Sequence, residues 1–217
     1  MITEMLRTIT ERYHLNGIDP KEYKKLKASG MEFQIWAFEA EGLGNVSTMT
    51  ASGFFGLMKM DTLIITPTQV DMPLFSYDRV HAMGNDTLIF ELYDTLLGQP
   101  DLSGLERVKS AAASLPDHDL GAHWYDSIKL AVSLSKKGKK KETPAFDQTV
   151  RDYLAAYLDA CGTAPICTDA NVKREKASVY VEGLLEHGGP STDVFKKSIG
   201  EEKTGELFRK YLFATKP

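Results

Sequence analysis

Residues 66–80 read TPTQVDMPLFSYDRV and follow an apolar run, Leu63-Ile64-Ile65. Proline has no N–H to donate to a sheet ladder, so Pro67 and Pro73 confine the segment between them to a loop. The pattern predicts a strand, a fixed loop and a second strand that begins after Pro73. Asp78 lies in that second strand among apolar residues, where an ionised carboxylate is costly unless it has a partner or a chemical role.

The composition predicts one α/β domain over residues 1–217. The chain has 42% hydrophobic and 26% charged residues with a formal net charge of -4, which suits a single unit with a substantial core. It contains neither an apolar run of about 18–20 residues nor the basic-then-apolar order of a secretory signal. Cys161 and Cys167 fit neither a disulfide framework nor a metal ribbon. We therefore expect reduced thiols, a cytoplasmic protein, no metal and no membrane.

Hydrophobic periodicity divides the chain into three parts. Residues 1–30 are predicted to form N-terminal helices, the second of them starting at Asp19-Pro20. Residues 31–135 are mainly sheet, because apolar residues recur with period two and short turns separate them. Residues 143–217 return to helical spacing. The predicted architecture is a sheet with helices on both faces.

Within the sheet region, strands are predicted at 33–38, 45–55, 57–66, 74–82 and 86–93, with short connections that favour antiparallel pairing. A surface helix is predicted at 103–114. Residues 123–135 fit a helix or a strand, and we favour the strand. The basic run Lys136–Lys141 in an acidic chain does not favour nucleic acid. It predicts a solvated loop. The alternative is a loop at the edge of a ligand site, facing a phosphate or propionate group.

Three stretches together resemble the ferredoxin-dependent bilin reductases, the phycocyanobilin:ferredoxin oxidoreductase type in particular. They are Phe33–Phe38, Pro67–Val80, and the tail that runs from Tyr180 through Gly188-Gly189-Pro190 to Phe213. The resemblance implies a three-layer α/β/α sandwich with a central antiparallel sheet. It implies a linear tetrapyrrole (bilin) bound between the sheet and the C-terminal helices, and no cofactor held by the protein itself. Electrons would come singly from a ferredoxin or flavodoxin.

In this family, a proton must follow each electron if charge is not to build up in an apolar pocket. The family's donors are a Glu on the second strand, a His on the third and the Asp after the Pro-Leu-Phe motif. Asp78 matches that Asp, so the resemblance implies that Asp78 is the principal proton donor. The His position falls at Thr62, and the Glu position falls at Met49 or Thr50. These differences leave open reduction of another double bond, or a carrier or chaperone that binds a tetrapyrrole without reducing it.

Several other side chains are candidates for substrate binding. Trp36 and Phe38 share a strand face and serve either as aromatic core or as a floor for a flat ligand. Thr50 and Thr62 either pack within the sheet or hydrogen-bond a lactam. His187 is favoured at a helix C-terminus by the dipole. The resemblance places it, with Gly189, at the loop that meets the ligand.

Basic residues are candidates at the mouth of the pocket. Lys136, Lys137, Lys173 and Arg174 are either solvated or paired with bilin propionates. Lys139 to Lys141 are predicted to steer an acidic ferredoxin to a surface near the pocket.

Overall fold

The computed structural model describes residues 1–216, apart from the side chain of Pro190. Its strands are β1 (Leu15–Ile18), β2 (Lys25–Ala28), β3 (Met31–Ala40), β4 (Gly44–Gly53), β5 (Met58–Pro67), β6 (Leu74–Ala82), β7 (Asn85–Tyr93) and β8 (Leu134–Lys139). Its helices are α1 (Ile2–Thr10), α2 (Ser103–Ala111), α3 (Thr143–Thr163), α4 (Ala170–His187), α5 (Pro190–Ile199) and α6 (Glu201–Glu206), which continues into a π-helical segment, Leu207–Leu212.

The strands form one sheet in the order β1-β3-β4-β5-β6-β7-β8, and β2 also pairs with β3. Every pair of named strands is antiparallel. The predicted α/β class with an antiparallel sheet is therefore confirmed. Strands β3 to β7 follow one another directly in sequence, so each meets its neighbour through a short connection, as the turn signals indicate.

Two hydrophobic clusters lie on opposite faces of the sheet. The first combines sheet residues such as Leu63 and Tyr77 with buried residues of α1, α2 and α3. The second combines residues such as Ile35 and Met49 with α4, α5 and the π-helical segment. Side chains alternate between the faces along each strand. Within a strand, alternate residues therefore contact α1 to α3, and the residues between them contact α4, α5 and the π-helical segment.

The proline segment folds as predicted. β5 ends at Pro67 and β6 begins at Leu74. Between them, Thr68 N–H donates to Leu43 O at 3.0 Å and Asp71 N–H donates to Pro165 O at 2.8 Å. These bonds satisfy the loop's backbone groups and hold it against neighbouring segments.

The predicted second N-terminal helix is wrong. Asp19 Oδ1 accepts the Lys21 N–H at 3.1 Å and starts only one 3₁₀ turn, Lys21–Lys24. The chain then forms β2 and turns at Ser29-Gly30, both with left-handed φ, to pair with β3. Pairing along the open edge of β3 satisfies more backbone groups than a short helix, whose nucleation is costly.

The prediction for residues 123–141 is also wrong in its boundaries. Trp124–Ile128 form a 3₁₀ turn, and the last strand is Leu134–Lys139, paired with β7. The strand thus includes much of the basic run, for which the sequence predicts a solvated loop. Lys136 is buried on β8, where its Nζ donates to Leu115 O at 3.0 Å and to Asp117 Oδ1 at 2.6 Å. A long lysine stem can cover apolar surface while its ammonium group finds such partners.

Candidate functional site

One apolar cleft lies between the second face of the sheet and the C-terminal helices. Its open space is about 1020 Å³, counted out to the mouth. The sheet contributes Met49, Met60, Thr62, Ile64, Ser76, Asp78, Val80, Ile89 and Glu91. The helices and loops contribute Leu120, His123, Tyr125, Tyr180, Leu184, Gly189, Ser191, Thr192, Phe208, Leu212 and Phe213.

A row of four residues forms the middle of the cleft floor. Met49 is paired with Thr62, Thr62 with Asp78, and Asp78 with Ile89, across β4 to β7. Directly opposed residues of antiparallel strands point to the same face with Cβ atoms about 4.5–5.5 Å apart. The register therefore places the Asp78 carboxyl group in the middle of the floor, between Thr62 and Ile89.

The electrostatics of Asp78 favour a protonated carboxyl group under mildly acidic conditions. Burial raises the pKa of Asp78 to about 6, and the nearby charge of Glu91 acts in the same direction. Thr62 Oγ1 donates a hydrogen bond to Asp78 Oδ1 at 2.5 Å, which acts against this rise because it stabilises the carboxylate. A carboxylic acid with such a pKa can give up a proton near neutral pH.

Sequence reasoning missed a second carboxyl group in the cleft, Glu91. It follows the run Leu88-Ile89-Phe90 on β7 and is buried. Tyr93 OH donates to Glu91 Oε2 at 2.6 Å. The ammonium group of Lys129 lies 3.6 Å from Glu91 Oε1. The signal was available, because a charged residue inside an apolar strand is the feature that drew attention to Asp78.

Aromatic side chains form one wall of the cleft. Tyr180 of α4 stacks on Tyr93 with ring centroids 3.9 Å apart and planes inclined by 25°. His123 stacks on Tyr125 at 4.8 Å and 9°. The Nδ1 atom of His123 is buried and has no hydrogen-bond partner among residues 1–216. His123 was also missed, because it lies in an irregular loop that carries no periodic signal.

The structure brings three of the predicted site residues together. Asp78, Thr62 and Gly189 all line the cleft. Of the two positions that align with the family's Glu, Met49 lines the cleft. Thr50 follows it on the same strand and therefore points to the other face of the sheet.

Trp36 and Phe38 also point away from the cleft. Their neighbours Ile35 and Ala37 belong to the cluster on the cleft side, whereas Phe38 packs against the cluster of α1 and α3. The two aromatic residues do share a face, but it is the face opposite Asp78. Strand alternation predicts that they lie together without indicating which layer of helices they meet.

The predicted basic ligands lie elsewhere. Lys136 is held by Leu115 O and Asp117, as described above. Lys173 is fully buried, and its Nζ donates to Thr95 O, Met72 O and Asp71 Oδ1 at 2.6, 2.8 and 3.1 Å. His187 is exposed at the end of α4, 5.5 Å from the ring of Trp124 between centroids, and does not line the cleft.

Other classes of site are not evident in the described residues. No group of three or more His, Cys, Asp or Glu side chains within residues 1–216 could hold a metal ion. Cys161 and Cys167 are both free thiols. Within residues 1–216, no helix has the length and apolar character needed to cross a bilayer.

Comparisons with known proteins support the fold. No family model and no curated protein matches the chain. Among solved structures, it is similar to the selenomethionine form of phytochromobilin synthase from tomato, crystallised in complex with biliverdin. The two share a TM-score of 0.80 and 17% sequence identity, over 99% of this chain and 82% of that chain. An identity this low supports a shared fold and does not by itself transfer an activity.

Proposed function

We propose that this chain is a single α/β/α domain that reduces a linear tetrapyrrole, with electrons from a ferredoxin or flavodoxin and Asp78 as proton donor. The observation that carries the proposal is the acidic group with a raised pKa at the centre of the apolar cleft. The fold similarity to a protein crystallised with biliverdin and the sequence resemblance to bilin reductases support it.

The cleft suits a flat conjugated ligand. Its walls are mostly aliphatic and aromatic, with a few hydroxyl and carboxyl groups between them, which is the usual lining of a ligand pocket. Ser191 and Thr192 at the start of α5, together with Thr62 on the floor, offer hydroxyl groups to polar ring substituents. The propionates of a bound bilin would lie toward the mouth, in water.

Asp78 would supply protons as the ligand accepts electrons. Saturating one double bond takes two electrons and two protons, and a one-electron donor delivers the electrons separately. A proton from Asp78 would neutralise the charge that each electron adds to a ligand in an apolar cleft. His123 is a second group at the cleft that can carry a proton.

A carrier or chaperone for a tetrapyrrole is the second candidate. The observation that favours it is Thr62 at the floor position where the resembled family has its His. Threonine can hydrogen-bond a ligand but does not supply a proton at neutral pH. A carrier would bind the bilin in the same cleft and leave it chemically unchanged.

Reduced ferredoxin distinguishes the two candidates. We expect the biliverdin complex, mixed anaerobically with chemically reduced ferredoxin or flavodoxin, to lose its original absorption bands and to release a bilin that carries two additional hydrogens by mass spectrometry. An unchanged spectrum and an unchanged ligand mass would identify a carrier.

The electron donor would dock near β8. Lys139 lies at the end of that strand, where its Nζ donates to Asn85 Oδ1 at 2.6 Å, and Lys140 and Lys141 follow directly. These cations would attract an acidic donor protein, and salt would weaken the attraction because it shortens the screening length. The apparent association rate should therefore fall as ionic strength rises.

The reduction rate should depend on pH through Asp78. Because the pKa of Asp78 is raised to about 6, its protonated fraction falls as pH increases through that value. We expect the single-turnover rate to decrease above about pH 6, approaching tenfold per pH unit. Stopped-flow spectra between pH 5 and pH 8 would measure it, and a flat profile would show that another group donates the rate-limiting proton.

Replacing Thr62 by valine should move this profile to higher pH. The variant removes the hydrogen bond that Thr62 Oγ1 donates to Asp78 while preserving the size and shape of the side chain. Loss of a bond that stabilises the carboxylate raises the pKa of Asp78, by about one unit if a charge-assisted bond is lost. A midpoint that stays in place or moves to lower pH would contradict the role assigned to this bond.

A further inference from the structure

A second, polar cavity lies beside the apolar cleft, under β7 and β8. Its open space is about 520 Å³. It is lined by Phe90, Glu91, His118, Asp119, Leu120, Gly121, Lys129, Ser133, Leu134 and Ser135. Part of its lining comes from the loop that precedes β8.

Glu91 and Leu120 line both cavities and thus form the wall between them. Glu91 Oε1 and Ser135 Oγ are buried and have no hydrogen-bond partner in the described part of the chain. Both residues line the polar cavity. Buried polar atoms without protein partners, in a cavity of this size, are satisfied by water. The polar cavity therefore has room and polar partners for water next to the Glu91 carboxylate.

The same carboxylate is close to Asp78. Glu91 is paired with Ser76, two residues from Asp78 on β6 and on the same face of the sheet. Diagonal neighbours of this kind have Cβ atoms about 7–8 Å apart or somewhat less. One water molecule, or a polar group of the ligand, can span the space left between two carboxyl groups that extend from such positions.

The other titratable groups around Glu91 are a lysine and three tyrosines. Lys129 Nζ lies 3.6 Å from Oε1 on the side of the polar cavity. Tyr93 OH binds Oε2, and Tyr125 and Tyr180 lie on the cleft side. Burial raises the pKa of each of the three tyrosines above its ordinary value. They therefore stay protonated at neutral pH, which leaves Glu91 and His123 as the groups of the cleft that can exchange protons with Asp78. Of these two, Glu91 is the one that also lines the polar cavity.

At the outer side of the polar cavity, His118 and Asp119 face the water. Burial and the charge of Lys137 lower the pKa of His118, with Asp119 acting against them. A neutral imidazole at neutral pH can accept a proton from solvent and pass it on. These groups give the cavity a polar entrance.

We propose that Glu91 is the proton relay that reprotonates Asp78 from the polar cavity. The inference rests on the proposed function, because an acid that gives protons to a ligand must be reprotonated between steps. The Glu91 carboxylate takes one proton from a buffer acid or a hydronium ion of the solvent, conducted through cavity water, and the buffer acid is left as its conjugate base. Glu91 then gives this proton to the Asp78 carboxylate and returns to its ionised form. No electron moves in the relay.

The test separates the first proton from those that follow. Loss of the Glu91 charge in Glu91→Gln lowers the pKa of Asp78, so the comparison is made at about pH 5, where Asp78 holds its own proton in both proteins. There the first ligand protonation after mixing with reduced ferredoxin should stay within about twofold of wild type. Later turnovers should slow by about tenfold or more, since general acids contribute at least that much. A small acid such as imidazolium, added at high concentration, should restore much of the lost rate. Stopped-flow spectra over the first and later turnovers provide both rates.

Two further variants test whether a slower rate in Glu91→Gln comes from loss of the relay or from a change in the protein's structure. Glu106→Gln makes the same change at an exposed residue of α2, which packs on the other face of the sheet, so its later turnovers should proceed at the wild-type rate. Ser135→Leu narrows the polar cavity and keeps the Glu91 carboxylate, and it should slow later turnovers as Glu91→Gln does.

Unchanged later turnovers in Glu91→Gln would overturn the relay, and so would an equal loss in the first protonation and in later turnovers. Failure of wild type to reduce the bilin at all would instead overturn the proposed function, and the relay with it.

Discussion

Asp78→Asn abolishes reduction of a bound bilin while leaving bilin binding intact. Asparagine has nearly the same shape and can keep a hydrogen bond with Thr62 Oγ1, but it has no proton to give at neutral pH. Positioned general acids contribute about 10²–10⁴-fold to rate. We therefore expect single-turnover reduction to fall by at least about a hundredfold, with a bilin dissociation constant within a few-fold of wild type.

Asp61→Asn is the matched control for this variant. Asp61 lies on β5 next to Thr62, but its side chain points to the opposite face of the sheet from Asp78. The same Asp to Asn change there should leave both binding and reduction unchanged. Normal turnover by Asp78→Asn would mean that the proton comes from another group, and His123 would be the first candidate to examine.

Lys173→Met should destabilise the protein by about 3–5 kcal/mol, the usual cost of breaking a buried ion pair by removing one partner. The Lys173 ammonium group is fully buried and connects α4 to Asp71 and to the carbonyl groups of Met72 and Thr95. Burial raises the pKa of Asp71, but backbone hydrogen bonds from Leu97 and Gly98 and the bond from Lys173 together lower it below its ordinary value. Methionine fills the space and leaves this carboxylate without its counter-charge. Urea unfolding followed by circular dichroism measures the loss.

Lys176→Met on the same helix is the control. Lys176 is exposed, and its ammonium group donates to Leu96 O. Loss of one exposed hydrogen bond should cost about 1 kcal/mol or less. If Lys173→Met were as stable as this control but bound biliverdin much more weakly, Lys173 would be a propionate ligand, as the sequence suggested.

The strands were predictable because their signals are local. Alternating apolar residues mark β3 to β7, and the prolines at 67 and 73 mark the loop between β5 and β6. The β2–β3 hairpin was missed because its stability comes from the open edge of β3, a partner that local propensity does not reveal. The start of β8 was misplaced for a similar reason. Val132 alternates like a strand residue, but pairing with β7 begins only at Leu134.

The site was only partly predictable. Asp78 was identified because a carboxylate in an apolar strand is unusual and because its motif resembles a known family. Trp36, Phe38 and Thr50 were assigned to the ligand, yet they lie on the other face of the sheet. Periodicity groups residues by face, but the helices that cover each face are known only from the tertiary structure. His123 reaches the cleft from an irregular loop, which no local pattern indicates.

The most direct test of the central claim is a biliverdin titration of wild type and two Ser→Trp variants of α5. Ser191 lines the cleft, whereas Ser198 is exposed on the same helix. We predict that wild type and Ser198→Trp bind biliverdin with a shifted, intensified red absorption band. Ser191→Trp should lose this band because the indole fills the cleft. Equal binding by all three proteins, or no spectral change with wild type, would contradict a tetrapyrrole site between the sheet and the C-terminal helices.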